Sequence, residues 1–315
     1  MEFLTNSSRN LYQECPRKFV YMHEMGIRPN KEASALAFGT AIHKLLEAHF
    51  MGAQKDLVLK LLDSLNLSPI DNVKARELFL GYVAKWPLLQ TVATEQEFSL
   101  PLLNPDSSGA SRTFELAGKI DAIVSLEDGT HAIVEHKTTS DNIGDPACDY
   151  WRRLSIDSQI SGYFIGAERL GFRPTKIIYD VIGKPTIKPA KATLPEKRSY
   201  KKDGTLYANQ RETDETPEEY AQRLRDDIAA NPYRYFQRRE IARLDEDLVD
   251  YMRDMWSVSK LIIESRNEKY WPKRISQCFN YGTCPFFDVC SKIASIEDES
   301  LYHKEGQNPE LSEVF

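Results

Sequence analysis

The stretch GKIDAIVSLEDGTHAIVEHKTT, residues 118–139 of this 315-residue chain, decides the fold. Two apolar runs with a period of two flank a turn sequence at 127–129, which predicts two antiparallel strands joined as a hairpin. Alternate residues of a strand point to the same face of a sheet. Glu135 and Lys137 therefore share one face of the second strand, and His136 points to the opposite face.

The register of this hairpin depends on the length of its turn. A two-residue turn at 128–129 would place Asp121 opposite His136 and leave the two carboxylates on different faces. A three-residue turn at 127–129, with its glycine left-handed in a G1 bulge, would place Asp121 opposite Glu135. A site that uses both carboxylates and the neighbouring lysine requires the second register.

Two carboxylates beside a lysine fit a site for a hard divalent cation. Carboxylate oxygens suit Mg²⁺ or Mn²⁺, which can bind a phosphate oxygen and lower the pKa of a water, while the lysine stabilises the attacking hydroxide. The alternative is an exposed hairpin that carries a cross-strand charge cluster. For three charged residues considered alone, that alternative is the commoner outcome.

The composition is that of an ordinary globular protein, with 41% hydrophobic and 28% charged residues and a net charge of −6. No apolar run reaches the ~18 residues of a membrane span. The N-terminal stretch MEFLTNSSRN lacks the features of a secretory signal, so we expect a cytoplasmic protein without structural disulfides. Basic runs at 195–202 and 235–240 could neutralise phosphates, although such runs are more often solvated surface.

The order of the predicted elements indicates an α/β fold. Helical patterns occupy 34–50, 55–66, 71–90, 153–170, 217–230 and 240–268, and strand patterns occupy 95–103, 113–126, 130–139 and 175–183. Pro16 is expected to break a helix near the N-terminus. The predicted division is an N-terminal helical segment (1–93), an α/β core (94–182), an exposed excursion (183–216), and C-terminal helices with a cysteine loop (217–315).

The hairpin resembles the core of the PD-(D/E)XK nuclease superfamily. The sequence G-K-I-D ends at Asp121, and E-H-K begins fourteen residues later at Glu135. In that superfamily the acidic pair and the lysine hydrolyse phosphodiesters. The resemblance implies catalytic roles for Asp121, Glu135 and Lys137. It also implies a restriction-endonuclease-like mixed sheet that is flanked by helices.

The segment FGTAIHKLLE resembles a helix of the RecB-type members of this superfamily, whose histidine is a further metal ligand. On that resemblance, a Mg²⁺ or Mn²⁺ ion would be held by His43, Asp121, Glu135 and the backbone carbonyl of His136. Without the other motifs, a histidine packed within a helix would be the simpler interpretation of His43.

The segment QISGYFIGAERLG resembles the Q-x-x-x-Y helix of the same family. Gln159 and Tyr163 are four residues apart and therefore share a helix face, where they could contact DNA or support the active site. Ordinary helix packing is the alternative, above all for Tyr163.

The stretch QCFNYGTCPFFDVCSK places Cys278, Cys284 and Cys290 at six-residue intervals. RecB-type nucleases of the AddB and CRISPR-associated exonuclease kind carry one cysteine before the nuclease core and three after it, and these four hold a [4Fe–4S] cluster. Cys15, in the context C-P-R-K, completes this set by resemblance. A structural Zn²⁺ is the alternative for four thiolates, and a trio of thiols without metal is the third possibility. Cys148 is expected to be a half-buried thiol and not a ligand.

The resemblance implies a divalent-metal-dependent DNA exonuclease that hydrolyses phosphodiester bonds from single-stranded ends, in recombination, repair, or phage or CRISPR DNA processing. The implied partners are DNA, preferably single-stranded, and a helicase or the recombination or CRISPR adaptation machinery. One alternative is a catalytically weak nuclease-fold module that binds DNA and acts through a helicase or integrase. Another is a zinc-stapled structural protein. The presence of Asp121, Glu135 and Lys137 together favours the enzyme.

Overall fold

The structure is a computed structural model that describes residues 1–31, 34–280, 282–309 and 311. The strands are β1 (Glu2–Leu4), β2 (Ile27–Pro29), β3 (Thr91–Leu103), β4 (Ala110–Ser125), β5 (His131–Thr139), β6 (Pro174–Gly183), β7 (Phe236–Ile241) and β8 (Tyr302–Lys304). The helices are α1 (Asn6–Glu14), α2 (Pro16–Phe19), α3 (Ser34–Phe50), α4 (Lys55–Ser64), α5 (Pro69–Lys85), α6 (Asp149–Ser155), α7 (Ser158–Arg169), α8 (Pro217–Ala230), α9 (Pro232–Tyr235), α10 (Asp245–Glu268) and α11 (Phe287–Cys290). Val20–Glu24 forms a π-helical turn, and Pro195–Lys197 and Ile275–Gln277 form 3₁₀ turns.

Among the described residues, six strands form one mixed sheet in the order β1, β4, β5, β6, β7, with β3 also paired to β4. The pairs β1–β4 and β5–β6 are parallel, and the other pairs in this sheet are antiparallel. Since β3 follows one edge of β4 along most of its length, β1 and β5 share the other edge. The predicted α/β fold with a mixed sheet is confirmed.

Helices cover both faces of this sheet, and the alternation of β5 separates its side chains between two cores. Ile133 packs with Ile177 of β6 and with α7 and α10 in the first core. Ala132 and Val134 pack against α3, α5 and α8 in the second core. Because Glu135 and Lys137 follow Ile133 at even intervals, their side chains belong to the α7 side of the sheet.

The turn between β4 and β5 has three residues, as the second predicted register requires. The Leu126 backbone N–H donates to the Thr130 carbonyl at 2.9 Å, and Gly129 has a φ of +76°. The paired residues run from Ser125 opposite His131 to Ala122 opposite Val134. Continued by one residue, this register sets Asp121 opposite Glu135, so the prediction is confirmed.

The two ends of the described chain are held together by several contacts. β2 and β8 pair antiparallel, at Ile27–Pro29 against Tyr302–Lys304. Arg266 of α10 forms ion pairs with Glu2 at 2.5 Å and with Glu24 at 2.7 Å. Within the described ranges, no helix has the length and hydrophobicity that a membrane span requires.

The predicted helix at 153–170 is wrong in one respect, because it is two helices, α6 and α7. The break lies at 156–157, where Ile156 ends α6 and the Asp157 side chain accepts from the Gln159 backbone N–H to begin α7. Residues 149–152, which lie before the predicted start, belong to α6. A side-chain cap of this kind competes with continuation of the helix.

The start of the predicted helix at 240–268 is also wrong, because residues 236–241 form the edge strand β7 and the helix begins at Asp245. Phe236 is fully buried, and Arg238 donates to the buried Asp180 at 3.1 Å. The second basic run therefore directs this arginine into the protein and not toward solvent. The predicted break at Pro16 is confirmed, since α1 ends at Glu14 and α2 begins at Pro16.

Candidate active site

The site lies where β4 and β5 separate. Their ladder ends at Ala122 opposite Val134, and β1 takes the same edge of β4 only at residues 114–116. In the interval, the His136 backbone N–H donates to Asp121 Oδ2 at 2.9 Å. The separation of the strands thus leaves space for a carboxylate in the middle of the sheet, where it binds a backbone amide that the ladder leaves unpaired.

A chain of polar contacts runs from β5 to α7. Lys137 Nζ lies 2.5 Å from Glu135 Oε1 and donates to Gln159 Oε1 at 2.8 Å. Gln159 Nε2 in turn donates to Tyr163 Oη at 2.5 Å. The structure therefore brings Gln159 to the lysine, and Tyr163 orients the amide from within the core, where it is 7% exposed.

His43 of α3 reaches the same place from the other side of the sheet. Its Nδ1 lies 3.7 Å from Asp121 Oδ2, and its ring centroid is 6.2 Å from that of His136. Its neighbours in the helix, Ile42 and Leu45, are buried in the second core. The helix is thus anchored by its apolar face, and His43 extends from it to the gap between the strands.

The two carboxylates are buried, which makes their ionisation unfavourable. Burial raises the pKa of Asp121 to about 6, although the His136 amide and Lys137 oppose the shift. Burial and the neighbouring Asp121 raise the pKa of Glu135 to about 7, against the opposing effect of Lys137. Both pKa values therefore lie near neutrality, as is common in active sites.

The basic groups of the site are shifted in opposite directions. Burial alone would lower the pKa of Lys137, but the adjoining Glu135 carboxylate outweighs it and the net pKa is raised. Burial lowers the pKa of His43, which keeps the imidazole neutral and able to act as a ligand. The site thus combines a protonated Lys137 with a neutral His43.

A second polar cluster, which sequence reasoning missed, lies behind His136 on the α5 side of the sheet. His136 Nδ1 is 3.6 Å from Asp180 Oδ2, and the same carboxylate accepts from Tyr82 Oη and Arg238. Trp86 lies under the guanidinium at 4.7 Å. Its sequence signal is Asp180 itself, a charged residue within the apolar strand TKIIYDVIG.

The carboxylate and imidazole side chains of this site are of the types that bind a divalent cation. Glu135 Oε2 is buried and has no hydrogen-bond partner among the described residues, and Asp121 and His43 adjoin it. Within the described part of the chain, however, no three or more His, Cys, Asp or Glu side chains are grouped so that they could hold a metal ion. The Lys137 ammonium lies instead against Glu135 Oε1.

All five cysteines are free thiols, and three of them lie close together. Cys15, Cys278 and Cys284 line one cavity of about 110 Å³, together with Lys18 and Arg274. The sulfur donors are of the type that binds a metal, but among the described residues these cysteines are not grouped closely enough to form a metal site.

Cys290 lies next to this cavity. Burial raises the pKa of the Cys290 thiol, and the neighbouring Cys284 adds to this rise. Burial likewise raises the pKa of Cys284. Cys148 is half-buried against the first core and outside the cysteine group, so its expected environment is confirmed.

A family model of the PD-(D/E)XK nuclease superfamily matches residues 4–291. Solved structures that resemble the chain include a candidate exonuclease from Eubacterium rectale, at 12% identity over 93% of this chain and 89% of that one, with a TM-score of 0.48. Another is a phage-related exonuclease from Haemophilus somnus, at 13% identity over 79% and 93%, with a TM-score of 0.31. No curated protein matches the chain.

Proposed function

The chain belongs to the PD-(D/E)XK nuclease superfamily, and from this premise we propose that it is a divalent-metal-dependent DNA exonuclease acting on single-stranded ends. The observation that carries the proposal is the hairpin register, which brings Asp121, Glu135 and Lys137 to one opening in the sheet. In a member of the family that had lost its catalytic activity, we would expect at least one of these three residues to be replaced.

The proposed ligands of a Mg²⁺ or Mn²⁺ ion are Asp121, Glu135, His43 and the backbone carbonyl of His136. The buried, unpartnered Oε2 of Glu135 supports this assignment, because a buried carboxylate oxygen without a partner is costly unless a ligand satisfies it. When bound, the ion lowers the pKa of a water and offsets negative charge on the phosphate.

Lys137 supplies the proposed protein contribution to the hydrolysis. Glu135 and Gln159 hold its ammonium in place, at 2.5 and 2.8 Å. A water oxygen attacks phosphorus and loses one proton to solvent, the bond to the leaving sugar oxygen breaks, and that oxygen takes up a proton from solvent. The preorganised ammonium stabilises the negative charge that develops on the phosphate oxygens during this exchange.

A [4Fe–4S] cluster held by Cys15, Cys278, Cys284 and Cys290 is proposed as a structural centre. The cavity that Cys15 shares with two members of the C-terminal trio supports it, since four thiolates suit either this cluster or Zn²⁺. The cluster would link residues that are more than 260 positions apart in sequence. Its proposed role is to stabilise the fold by joining these two regions of the chain.

The test uses single-stranded DNA labelled separately at its 5′ and 3′ ends, with Mg²⁺ or Mn²⁺. Lys137→Ala should reduce cleavage by at least about a hundredfold, because it removes the charge that stabilises the transition state. Lys176→Ala is the matched control, since Lys176 lies on the neighbouring strand and forms an exposed ion pair with Glu240 at 2.9 Å. The end label that is released first shows whether cleavage proceeds from the 5′ or the 3′ end.

Two results would contradict the proposal. Cleavage by Lys137→Ala at the wild-type rate would remove the lysine from the mechanism. A folded wild-type protein that binds single-stranded DNA but does not cleave it with either metal would instead indicate a binding module that acts through a partner.

A further inference from the structure

A large cavity adjoins the active site at the carboxyl ends of the parallel strands β5 and β6. It has a volume of about 780 Å³, within the range of small-molecule sites. Three segments build it: the loop after β5, the residues after β6, and the junction of α8 with α9. The lining includes the polar and aromatic side chains of Ser140, Asn142, Lys184, Thr186, Tyr233 and Arg234.

Glycines allow these three segments to approach closely. A Cβ on Gly183, the last residue of β6, would lie 2.7 Å from the Arg234 carbonyl oxygen. A Cβ on Gly144 would lie 3.4 Å from the Tyr233 carbonyl oxygen and from the Arg234 Cα. The backbone of α9 is therefore set against the strand end, and the cavity wall has a defined position.

Tyr233 presents an aromatic surface at this cavity and is 69% exposed. Lys85 Nζ lies over the ring at 4.1 Å from its centroid, and the same ammonium donates to the Phe236 carbonyl at 2.6 Å. The Lys85 ammonium thus lies against one face of the ring, while most of the residue remains exposed. An exposed, immobilised aromatic ring is a platform on which a nucleic-acid base stacks.

The acidic and the cationic side chains of the cavity belong to different segments, with Asp141 and Asp145 on the loop after β5. Arg234, held by its bond to Thr186 Oγ1 at 2.6 Å, and Lys184 are cationic groups in the lining. Of the acidic groups, Asp141 pairs with Arg153 at 2.6 Å. Asp145 accepts from the Ala147 backbone N–H at 2.9 Å. The cationic groups suit a phosphodiester, and the carboxylates can accept from exocyclic amino groups of bases.

The position of the cavity relative to the active site follows from strand geometry. Ser140 is three residues beyond Lys137 along β5, a distance of about 10 Å. This distance is within the reach of a nucleotide next to a scissile phosphate at Lys137.

We propose that this cavity, the Tyr233 pocket, binds one nucleotide of a single DNA strand next to the scissile phosphate. The base stacks on Tyr233, and Arg234 and Lys184 contact the backbone phosphate. The proposal rests on the proposed nuclease function, and it adds a site that favours unpaired bases, because a base within a duplex has no free face for the ring.

The test measures binding of a short, labelled oligodeoxythymidylate to the full chain in EDTA by fluorescence anisotropy, so that no cleavage occurs. Tyr233→Ala should weaken binding on the order of tenfold. Tyr233→Phe should bind with the affinity of the wild type, because stacking needs the ring and not the hydroxyl. Tyr207→Ala is the control, since Tyr207 is 50% exposed but lies outside the cavity. Arg234→Ala should reduce the slope of log K against log[salt] by about 0.7.

The results separate this proposal from the nuclease function. Equal affinity for the wild type and Tyr233→Ala overturns the Tyr233 pocket, even if cleavage is normal. Absence of any binding to single-stranded DNA overturns it as well. Binding that depends on Tyr233 in a protein that never cleaves DNA supports the pocket and contradicts the nuclease.

Discussion

At the scale of single residues, the candidate active site is built from groups whose burial opposes folding. Glu135 is 2% exposed and its Oε2 has no partner among the described residues. Asp121 adjoins it and is stabilised chiefly by the His136 amide. Both carboxylates have pKa values raised toward neutrality, so their ionisation costs stability in the metal-free protein.

The sign of the pH dependence follows from these raised values. A carboxyl whose folded pKa exceeds its unfolded value contributes stability that is present below pH 4 and is lost as the pH rises through the folded pKa. For Asp121 and Glu135, that loss begins near the unfolded pKa values, at about pH 4, and is nearly complete at the folded values of about 6 and 7.

Asp121→Asn should therefore stabilise the metal-free protein at pH 8. The amide oxygen can still accept from the His136 N–H, and the buried charge is gone, so we expect a gain of about 1–3 kcal/mol in the free energy of unfolding. The gain should disappear near pH 4. Thermal unfolding in EDTA across this range measures it, with exposed Asp149→Asn as the control.

A constant difference between wild type and Asp121→Asn at all pH values would contradict the assigned burial. The variant should also lose cleavage, because it removes a proposed metal ligand. Stability and activity are thus expected to change in opposite directions at this position.

At the scale of elements, the active site depends on how α7 packs over β3 and β4. The ring of Phe98 on β3 is paired across the strands with Gly118 of β4 and lies against Gly166 of α7. A Cβ at Gly166 would overlap this ring. The glycine lets α7 approach the sheet closely enough for Gln159, at its N-terminal end, to reach Lys137.

Gly166→Ala should accordingly destabilise the protein, although alanine favours a helix over glycine by about 1 kcal/mol. Overpacking against the Phe98 ring costs about 1–3 kcal/mol, and the displaced helix moves Gln159, so both melting temperature and cleavage rate should fall. Gly306→Ala, where a Cβ meets open space, is the control. An unchanged melting temperature would show that α7 can shift without cost.

At the scale of the whole molecule, the two ends of the described chain form one structure. Arg17 donates to the Trp271 carbonyl at 2.7 Å, β2 pairs with β8, and the cysteine cavity joins the same two regions. A metal centre at the cysteines would close the largest loop in the chain. The division at residues 94, 183 and 217 stays a prediction.

Cys284→Ser should remove the metal centre and destabilise the protein. Loss of a link that closes so long a loop is expected to cost about 2–5 kcal/mol, as for a disulfide, and to lower the melting temperature by about 5–10 °C. Iron, acid-labile sulfide and zinc measured on wild type and variant distinguish the cluster from a zinc site. Cys148→Ser is the matched control, because Cys148 lies outside the cavity.

A variant that keeps its metal and its melting temperature would exclude Cys284 as a required ligand. A wild-type protein that contains one zinc and no sulfide would replace the proposed cluster with a structural Zn²⁺ but retain the four cysteines as the ligand set.

The sequence by itself determined the features that depend on local rules. The period of two and the Glu-Asp-Gly turn are sufficient to predict the hairpin. The turn alone is compatible with two registers, and the structure has the one with the three-residue turn. The spacing of Gln159 and Tyr163 likewise predicts a shared helix face, and their side chains are hydrogen-bonded.

Only the tertiary structure decided the features whose partners are distant in sequence. Edge strands β1 and β7 are short and carry no strong pattern, so their pairing to the sheet stabilises them. Asp180 finds Tyr82 and Arg238 across 98 and 58 positions. The Tyr233 pocket forms because two strand ends and a helix junction meet there, a convergence that long-range packing determines and local sequence does not.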